Sequence, residues 1–143
     1  MSKQVVLISH GKLSAGVADA VAMVFGKNEE LSYLGLAPDG NVVELIGGLR
    51  DRVAASPNDQ FIVIADIFGG SVCNQSLQQL SEFDNVVLLS GLSMGLVLSI
   101  LAMPGELSQT QIDQAVADAQ AGTKVVELIK ADAPVDSGED DFF

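Results

Sequence analysis

The single histidine of the chain, His10, follows the short apolar run Val5–Ile8. A neutral imidazole is a good nucleophile toward phosphorus at neutral pH, but only through the ring nitrogen that carries no proton. Asp66 follows another apolar run. A carboxylate that binds one ring N–H fixes the tautomer and supports the imidazolium form during attack. His10 and Asp66 are therefore candidates for a catalytic pair in phosphoryl transfer.

The stretch Gly69-Gly70-Ser71 is the candidate phosphate-binding loop. At a turn from a strand into a helix it offers main-chain N–H groups, a hydroxyl and a helix N-terminus to an anion. Phosphoryl transfer requires mainly positioning and electrostatic stabilisation, so these groups are sufficient. One histidine and one cysteine, without carboxylates clustered at ligand spacing, predict no metal site. No P-loop or dinucleotide-binding pattern occurs either, and we expect no cofactor.

Each candidate residue also has a purely structural interpretation. His10 can be a structural histidine, Asp66 a helix N-cap or loop carboxylate, and Gly69-Gly70 a simple turn of the chain. Cys73 is interpreted as a packed side chain rather than a reactive thiolate. Lys12 is interpreted as a surface residue rather than a phosphate ligand. The chemical interpretation therefore depends on whether the fold brings the candidates together.

Four short apolar runs predict the strands, and they are Val5–Ile8, Leu31–Leu36, Phe61–Ala65 and Val86–Leu89. The first, third and fourth are continuous rather than alternating, which is typical of strands covered on both faces in a parallel sheet. Stretches with helical spacing separate the runs. The alternation predicts an α/β protein, a three-layer α/β/α sandwich with a mainly parallel sheet of four strands.

Capping residues mark several ends of the predicted helices. Ser14 is a candidate N-cap of the first helix, and Ser108 with Gln111 matches a capping box at the start of the last. In chain order, the predicted helices lie between Ser14 and Gly26, over Val42–Val53, from Ser71 to Leu80, over Leu92–Met103 and between Ser108 and Gly122.

Sheets of this class bind ligands beyond the carboxyl ends of their strands, near the point where the strand order reverses. The first strand ends at Ser9-His10-Gly11, the third at Asp66 and the fourth at Ser90-Gly91. If the fold is right, these three loops share one edge of the sheet. We therefore expect His10, Asp66 and Gly69-Gly70-Ser71 to converge there.

Charge and chain ends limit the classes of partner. Seven Lys and Arg against 19 Asp and Glu give a formal net charge of −12, which argues against nucleic acid as the main partner.

Residues 1–131 are predicted to form one domain that includes a last β-like run, Val125–Ile129. Residues 132–143 are predicted to form an acidic, disordered tail. One cysteine, no secretory signal and no long apolar run indicate a cytoplasmic protein.

Two motifs resemble the IIA component of the mannose-type (mannose, fructose and sorbose) sugar phosphotransferase system of bacteria. Val5–Gly16 reads VVLISHGKLSAG, similar to the family's strand that ends in Ser-His-Gly before a helix with Ala-x-Gly. Asp66–Asn74 reads DIFGGSVCN, similar to Asp-x-Phe-Gly-Gly-Ser-Pro-x-Asn. The similarity runs from about Gln4 to Ile129, and it implies a phosphotransferase.

The resemblance implies a role for each matched residue. His10 would accept a phosphoryl group on Nε2 from the histidine-containing phosphocarrier protein and pass it to a IIB component, which phosphorylates sugar imported through membrane IIC and IID subunits. Asp66 would bind the other ring nitrogen, and Gly69, Gly70 and Ser71 the phosphoryl oxygens. Family members are homodimers that exchange the last strand, here Val125–Ile129, with Leu92–Met103 in the interface.

The chain departs from the family pattern at two places. Val72 replaces the usual proline, and Ser90–Gly95 replaces the usual Asn-Leu-Pro loop. No linker and fused IIB domain follow, so we expect IIB to be a separate protein. The resemblance also implies that this chain is a bacterial cytoplasmic protein that can lie beside the membrane transporter. Two alternatives are a phosphoryl donor to a dihydroxyacetone kinase and a non-catalytic regulatory module controlled by phosphorylation of His10.

Overall fold

The four apolar runs form one parallel sheet in the computed structural model, which describes residues 2–129. The strands are β1 (Lys3–His10), β2 (Leu31–Leu36), β3 (Gln60–Ala65) and β4 (Val86–Ser90). They pair in the order β2-β1-β3-β4, which places β1 and β3 in the centre and β2 and β4 at the edges. The predicted four-stranded parallel sheet is confirmed.

Helices cover both faces of this sheet, as the predicted three-layer architecture requires. In the described part of the chain they are α1 (Leu13–Phe25), α2 (Val42–Ala55), α3 (Ser71–Leu80), α4 (Met94–Ala102) and α5 (Gln109–Ala121). The layer of α1, α4 and α5 packs on one face and the layer of α2 and α3 on the other. None of the described helices is long and apolar enough to cross a membrane.

The continuous apolar character of β1 follows from its central position. Val5 and Leu7 lie in the core against α1, α4 and α5, while Val6 and Ile8 lie in the core against α2 and α3. All four side chains are fully buried. Because both faces of the strand are covered, its central positions Val5–Ile8 are all apolar.

Most predicted helix ends are confirmed, and one cap is wrong. The capping box of α5 forms, with Ser108 accepting from the N–H of Gln111 and the Gln111 side chain accepting from the N–H of Ser108. Ser14 does not cap α1, because that helix begins at Leu13. Instead Ser14 is buried, and its hydroxyl donates to the carbonyl oxygen of Leu34 in β2 (2.8 Å).

The run Val125–Ile129, which the resemblance implies is exchanged with a partner, is not a strand in the described chain. The run follows α5, and its exchange with a partner stays a prediction. Its apolar side chains are exposed, Val125 by 96% and Leu128 by 90%. The predicted acidic tail, residues 132–143, and the domain boundary at 131 lie outside the described residues.

Candidate functional site

His10 lies at the carboxyl end of β1, where the chain connections leave the sheet in opposite directions. The connection from β1 to β2 runs through α1 on one face, and the connection from β3 to β4 runs through α3 on the other. The loops after β1 and β3 therefore diverge and leave a crevice between them. The register pairs Ile8 with Ala65, so the loop residue Asp66 comes next to His10.

Asp66 holds His10 by both its main chain and its ring. The main-chain N–H of His10 donates to Asp66 Oδ2 (2.8 Å), and ring atom Nδ1 lies 2.7 Å from the same oxygen. The other carboxylate oxygen, Oδ1, accepts from the N–H of Ile67 (2.9 Å). Because the backbone and the ring of His10 bind one oxygen, the direction of the imidazole is fixed relative to the strand that carries it.

The contact between Asp66 and Nδ1 also determines which ring nitrogen of His10 carries the proton. Burial acts to raise the pKa of Asp66, but the hydrogen bonds from the main chain and ring of His10 and from Ile67 outweigh it and hold that pKa below the ordinary 3.8. Asp66 is therefore ionised at neutral pH and can only accept hydrogen bonds. Nδ1 of His10 must carry the proton, and Nε2 presents its lone pair on the exposed side of the ring.

Ser71 approaches that second nitrogen. Its hydroxyl oxygen lies 3.2 Å from Nε2, and since Nε2 accepts, the hydroxyl donates. Ser71 is the first residue of α3 and Gly70 is its N-cap. The N–H groups of the first helical turn have no carbonyl partner four residues earlier in the helix, so they are available to an anion.

Gly69 and Gly70 are required by the shape of the turn that leads into α3. Gly69 has a φ of +81°, a conformation that side chains with a Cβ rarely adopt. A Cβ on Gly70 would lie 2.8 Å from the Ile67 side chain and 3.5 Å from Cε1 of His10. The amide of Asn74 donates to the carbonyl oxygen of Gly69 (3.0 Å) and ties the turn to α3. The loop is thus packed directly against the imidazole.

A second group of residues, which the sequence did not identify, fixes the other side of His10. Ser9 accepts from the N–H of Ser14 (2.8 Å), and the N–H of Gly11 donates to the carbonyl oxygen of Leu36 (2.7 Å). A Cβ on Gly35 would overlap the carbonyl oxygen of Gly11. Gly35 is therefore needed so that the chain after His10 can lie against β2.

Comparison with known protein families identifies the family of this chain. Residues 4–120 match the family described as PTS system fructose IIA component. The chain belongs to this mannose-type IIA family. It is 25% identical over 109 residues to the PTS system sorbose-specific EIIA component of Klebsiella pneumoniae, which covers 76% of this chain and 80% of that protein.

Solved structures share the fold of this IIA component. The mannose/sorbose-specific IIA subunit of the phosphotransferase system from Enterococcus faecalis matches with a TM-score of 0.81 at 17% identity, over 91% of this chain and 98% of that chain. The PTS IIA protein associated with the fucose utilization operon of Streptococcus pneumoniae matches with a TM-score of 0.77 at 22% identity, over 87% and 93%. The resemblance drawn from the two motifs is thus confirmed.

The two departures of this IIA component from the family pattern leave the site intact. Val72 is fully buried between α3 and the sheet, in the first helical turn, where both valine and proline are accommodated. In the loop after β4, the N–H of Leu92 donates to the carbonyl oxygen of Ala65, and Ser93 caps α4. These contacts of the loop are structural.

The loop after β4 also reads Gly91-Leu92-Ser93-Met94-Gly95, the GxSxG spacing of a serine hydrolase. Ser93 has an extended backbone with φ of −148°, and its hydroxyl accepts from the N–H of Leu96 as a helix cap. A nucleophilic serine of that class sits on a sharp, strained turn instead. In this IIA component the GxSxG sequence therefore marks the beginning of α4 and not a catalytic serine.

The positions of Cys73 and Lys12 agree with the structural interpretation of each residue, a packed side chain and a surface residue. Cys73 is 6% exposed and packs in the core between the sheet and the layer of α2 and α3. Lys12 is exposed at the N-cap position of α1 and makes no side-chain capping bond there.

We predict that Gly35→Ala disturbs His10 without unfolding the protein. The new methyl group displaces the Gly11 carbonyl, at a cost of about 1–3 kcal/mol of unfolding free energy. We expect weakening of the His10–Asp66 hydrogen bond, visible as an upfield shift of the ring Nδ1–H proton in NMR spectra. Gly48→Ala is the control, since a Cβ there meets no neighbouring atom. An unchanged Nδ1–H signal in Gly35→Ala would contradict the assignment.

We predict that Asp66→Asn lowers the free energy of unfolding by about 1–3 kcal/mol at neutral pH, because bonds to a buried charge are lost. The pKa of Asp66 is lower in the folded state. The stabilisation that ionised Asp66 gives to the folded state is therefore fully present above its ordinary pKa of 3.8. It is lost as the pH falls through the lower pKa that Asp66 has in the folded state. The difference between wild type and variant in urea unfolding should therefore shrink at acidic pH. The lowered pKa of Asp59 affects both proteins equally, and a difference independent of pH would refute the prediction.

Proposed function

We propose that this IIA component is a phosphohistidine carrier that accepts a phosphoryl group on Nε2 of His10. The observation that carries the proposal is the 2.7 Å contact between Nδ1 and Asp66, which keeps the proton on Nδ1 and leaves Nε2 without one, so that its lone pair can attack phosphorus once the Ser71 hydroxyl turns away. The donor is a histidine-containing phosphocarrier protein and the acceptor is a IIB component. The match to a phosphotransferase-system IIA family and the name of the relative support a role in phosphoryl transfer.

The transfer needs no proton to move at His10. The Nε2 lone pair forms the new P–N bond while the P–N bond of the donor breaks, and its electron pair returns to the donor imidazole. The His10 ring then has substituents on both nitrogens and carries a positive charge. The Asp66 carboxylate, only 8% exposed, stabilises that charge through Nδ1–H. Because this contact keeps the ring protonated at Nδ1, the imidazole of His10 can leave as a neutral group when the phosphoryl group passes to the next acceptor.

The phosphoryl oxygens are bound by the loop before α3. The hydroxyl of Ser71, which donates to Nε2 before transfer, turns to donate to a phosphoryl oxygen once Nε2 is bonded to phosphorus. The turn Gly69-Gly70 brings the first N–H groups of α3 to the same place, where the helix N-terminus favours negative charge.

We further propose that the carrier functions in sugar uptake, in the cytoplasm, beside membrane IIC and IID subunits. The relative from Klebsiella pneumoniae is named for sorbose, and the relative from Enterococcus faecalis for mannose and sorbose. Transport is favoured over phosphoryl donation to a dihydroxyacetone kinase and over a regulatory role because these names are those of sugar phosphotransferase components.

The exposed run Val125–Ile129 supports a homodimer in which this segment pairs with the partner's sheet. Four of its side chains are large and apolar, with 58–96% of their surface exposed. In the described chain β4 pairs only with β3, so its outer edge can accept a strand. Pairing there would bury the apolar side chains and satisfy two sets of main-chain groups. Five residues of α4 are already buried in their own chain, so α4 would contribute only its remaining exposed surface.

We predict that incubation with phosphoenolpyruvate, enzyme I and the histidine-containing phosphocarrier protein adds one acid-labile phosphoryl group. Intact mass before and after mild acid measures it. His10→Ala should stay unmodified, and Asp66→Asn should react about 100-fold more slowly or worse, since the supporting carboxylate is lost. Unmodified wild type beside an active donor system would reject the carrier function. Transfer onward to IIB, to a kinase subunit or to neither separates the three candidate roles.

We predict that the protein sediments as a dimer and that Val126→Lys with Leu128→Lys makes it a monomer, because charges would be placed in the new strand pairing. Sedimentation velocity measures the change. Leu77→Lys is the control, since Leu77 is also exposed (59%) but lies on α3. A monomeric wild type, or a variant that remains dimeric, would contradict the exchanged strand.

A further inference from the structure

The side chain of Asn74 holds the loop that leads into α3. Its amide donates to the carbonyl oxygen of Gly69 (3.0 Å), across the start of the helix. Within residues 2–129 no other side chain bonds to the main chain of Gly69 or Gly70. Asn74 is exposed. The hydrogen bond, rather than packing in the core, therefore keeps the amide against the loop.

The helix itself does not require an asparagine at this position. Asn74 lies inside α3, four residues after the N-cap Gly70. Asparagine forms helices less readily than glutamine, because its short side chain competes with the helix for main-chain partners. Gln78 occupies the exposed position one turn later. Since Asn74 bonds to a residue that precedes the helix, its effect is on the loop.

The loop has little else to hold its central peptide group. Gly69 and Gly70 flank this group, and glycines allow a peptide plane to rotate at low cost. The N–H of Gly70 donates to the carbonyl oxygen of Ile67 at 3.3 Å, longer than the usual length of about 2.9–3.0 Å. In a planar trans peptide the C=O and N–H point in opposite directions, so any rotation moves both. The bond from Asn74 fixes the orientation of this peptide.

That orientation matters because the peptide borders the reactive ring. A Cβ on Gly70 would lie 3.5 Å from Cε1 of His10. A phosphoryl group on His10 brings roughly two negative charges to this place, and an unbound carbonyl oxygen nearby would repel it. The amide of Asn74 binds the carbonyl oxygen of Gly69. A loop that is already in place also needs no reordering during transfer, which lowers the barrier.

We propose that Asn74 is a positioning residue for phosphoryl transfer, which holds the Gly69-Gly70 loop against His10 through its hydrogen bond to the Gly69 carbonyl oxygen. The proposal rests on the proposed carrier function. Because the amide is bound within this chain, Asn74 acts on the transfer step and not on the binding of the donor protein.

The test measures transfer from the phosphorylated histidine-containing phosphocarrier protein to wild type, Asn74→Ala and Asn74→Asp. Aspartate has the size of asparagine, but its carboxylate only accepts hydrogen bonds. Both substitutions should lower kcat about 10- to 100-fold and leave the KM for the donor within about twofold, since misplaced groups at a reacting centre cost about that much rate. Gln78→Ala is the matched control, because Gln78 is an exposed amide on the same helix.

NMR spectra give a second readout, which a general loss of stability does not change in the same way. In wild type, phosphorylation should shift the main-chain amide proton of Ser71 downfield, because this group gains a bond to a phosphoryl oxygen. In both Asn74 variants the shift should be smaller, while the amide signals of the central strands β1 and β3 remain those of wild type.

Each other outcome overturns the proposal. An unchanged kcat in Asn74→Ala would do so even if Asn74→Asp reacted slowly, because the added charge would then explain the loss. A rise in KM alone would assign Asn74 to donor binding, and an equal loss in Gln78→Ala would show a general effect on α3. A Ser71 shift as large as that of wild type would show that the loop is held without Asn74.

The wild-type reaction separates this proposal from the carrier function. Wild type that stays unmodified beside an active donor system would refute the carrier function, and the role of Asn74 with it. Wild type that is phosphorylated on His10 keeps the carrier function whatever the Asn74 variants show, so that their kcat and amide shifts decide the role of Asn74 alone.

Discussion

The hydrogen bonds between His10 and one oxygen of Asp66 are the interaction on which the site depends. One carboxylate oxygen receives both the main-chain N–H and the ring N–H of His10, at 2.8 and 2.7 Å. The main-chain bond joins the loops after β1 and β3, and the ring bond assigns the tautomer. The first bond thus ties the two loops together, and the second sets which ring nitrogen of His10 carries the proton.

The rest of the fold holds that contact in place. Two central strands, buried over most of their length, end side by side, and their loops leave the sheet in opposite directions at this point. Gly35 and Gly70 let the backbone approach His10 from both sides, since a Cβ at either position would overlap a neighbouring atom. The architecture thus supplies a rigid, half-exposed imidazole with an anion-binding helix N-terminus beside it.

The exposed surface combines a high negative charge with patches of large apolar side chains. The protein carries a high negative charge, yet two large apolar side chains, Ile67 and Phe68, are exposed beside His10. A second exposed apolar segment, Val125–Ile129, lies after α5. Exposed apolar side chains grouped in this way are typical of surfaces that contact other proteins.

Local patterns were enough to predict the strands, the order of the helices, the parallel sheet and the two loops of the candidate site. The signals are continuous apolar runs, the capping box at Ser108, and the residues His10 and Asp66 at strand ends. The role of Ser14, the need for Gly35 and the burial of Lys3, whose ammonium donates to the carbonyl oxygen of Met103, could not be predicted in this way. Each of these depends on a contact between segments that lie far apart in the chain, and so does the bond between His10 and Asp66, which are 56 residues apart. Local patterns carry no information on such contacts.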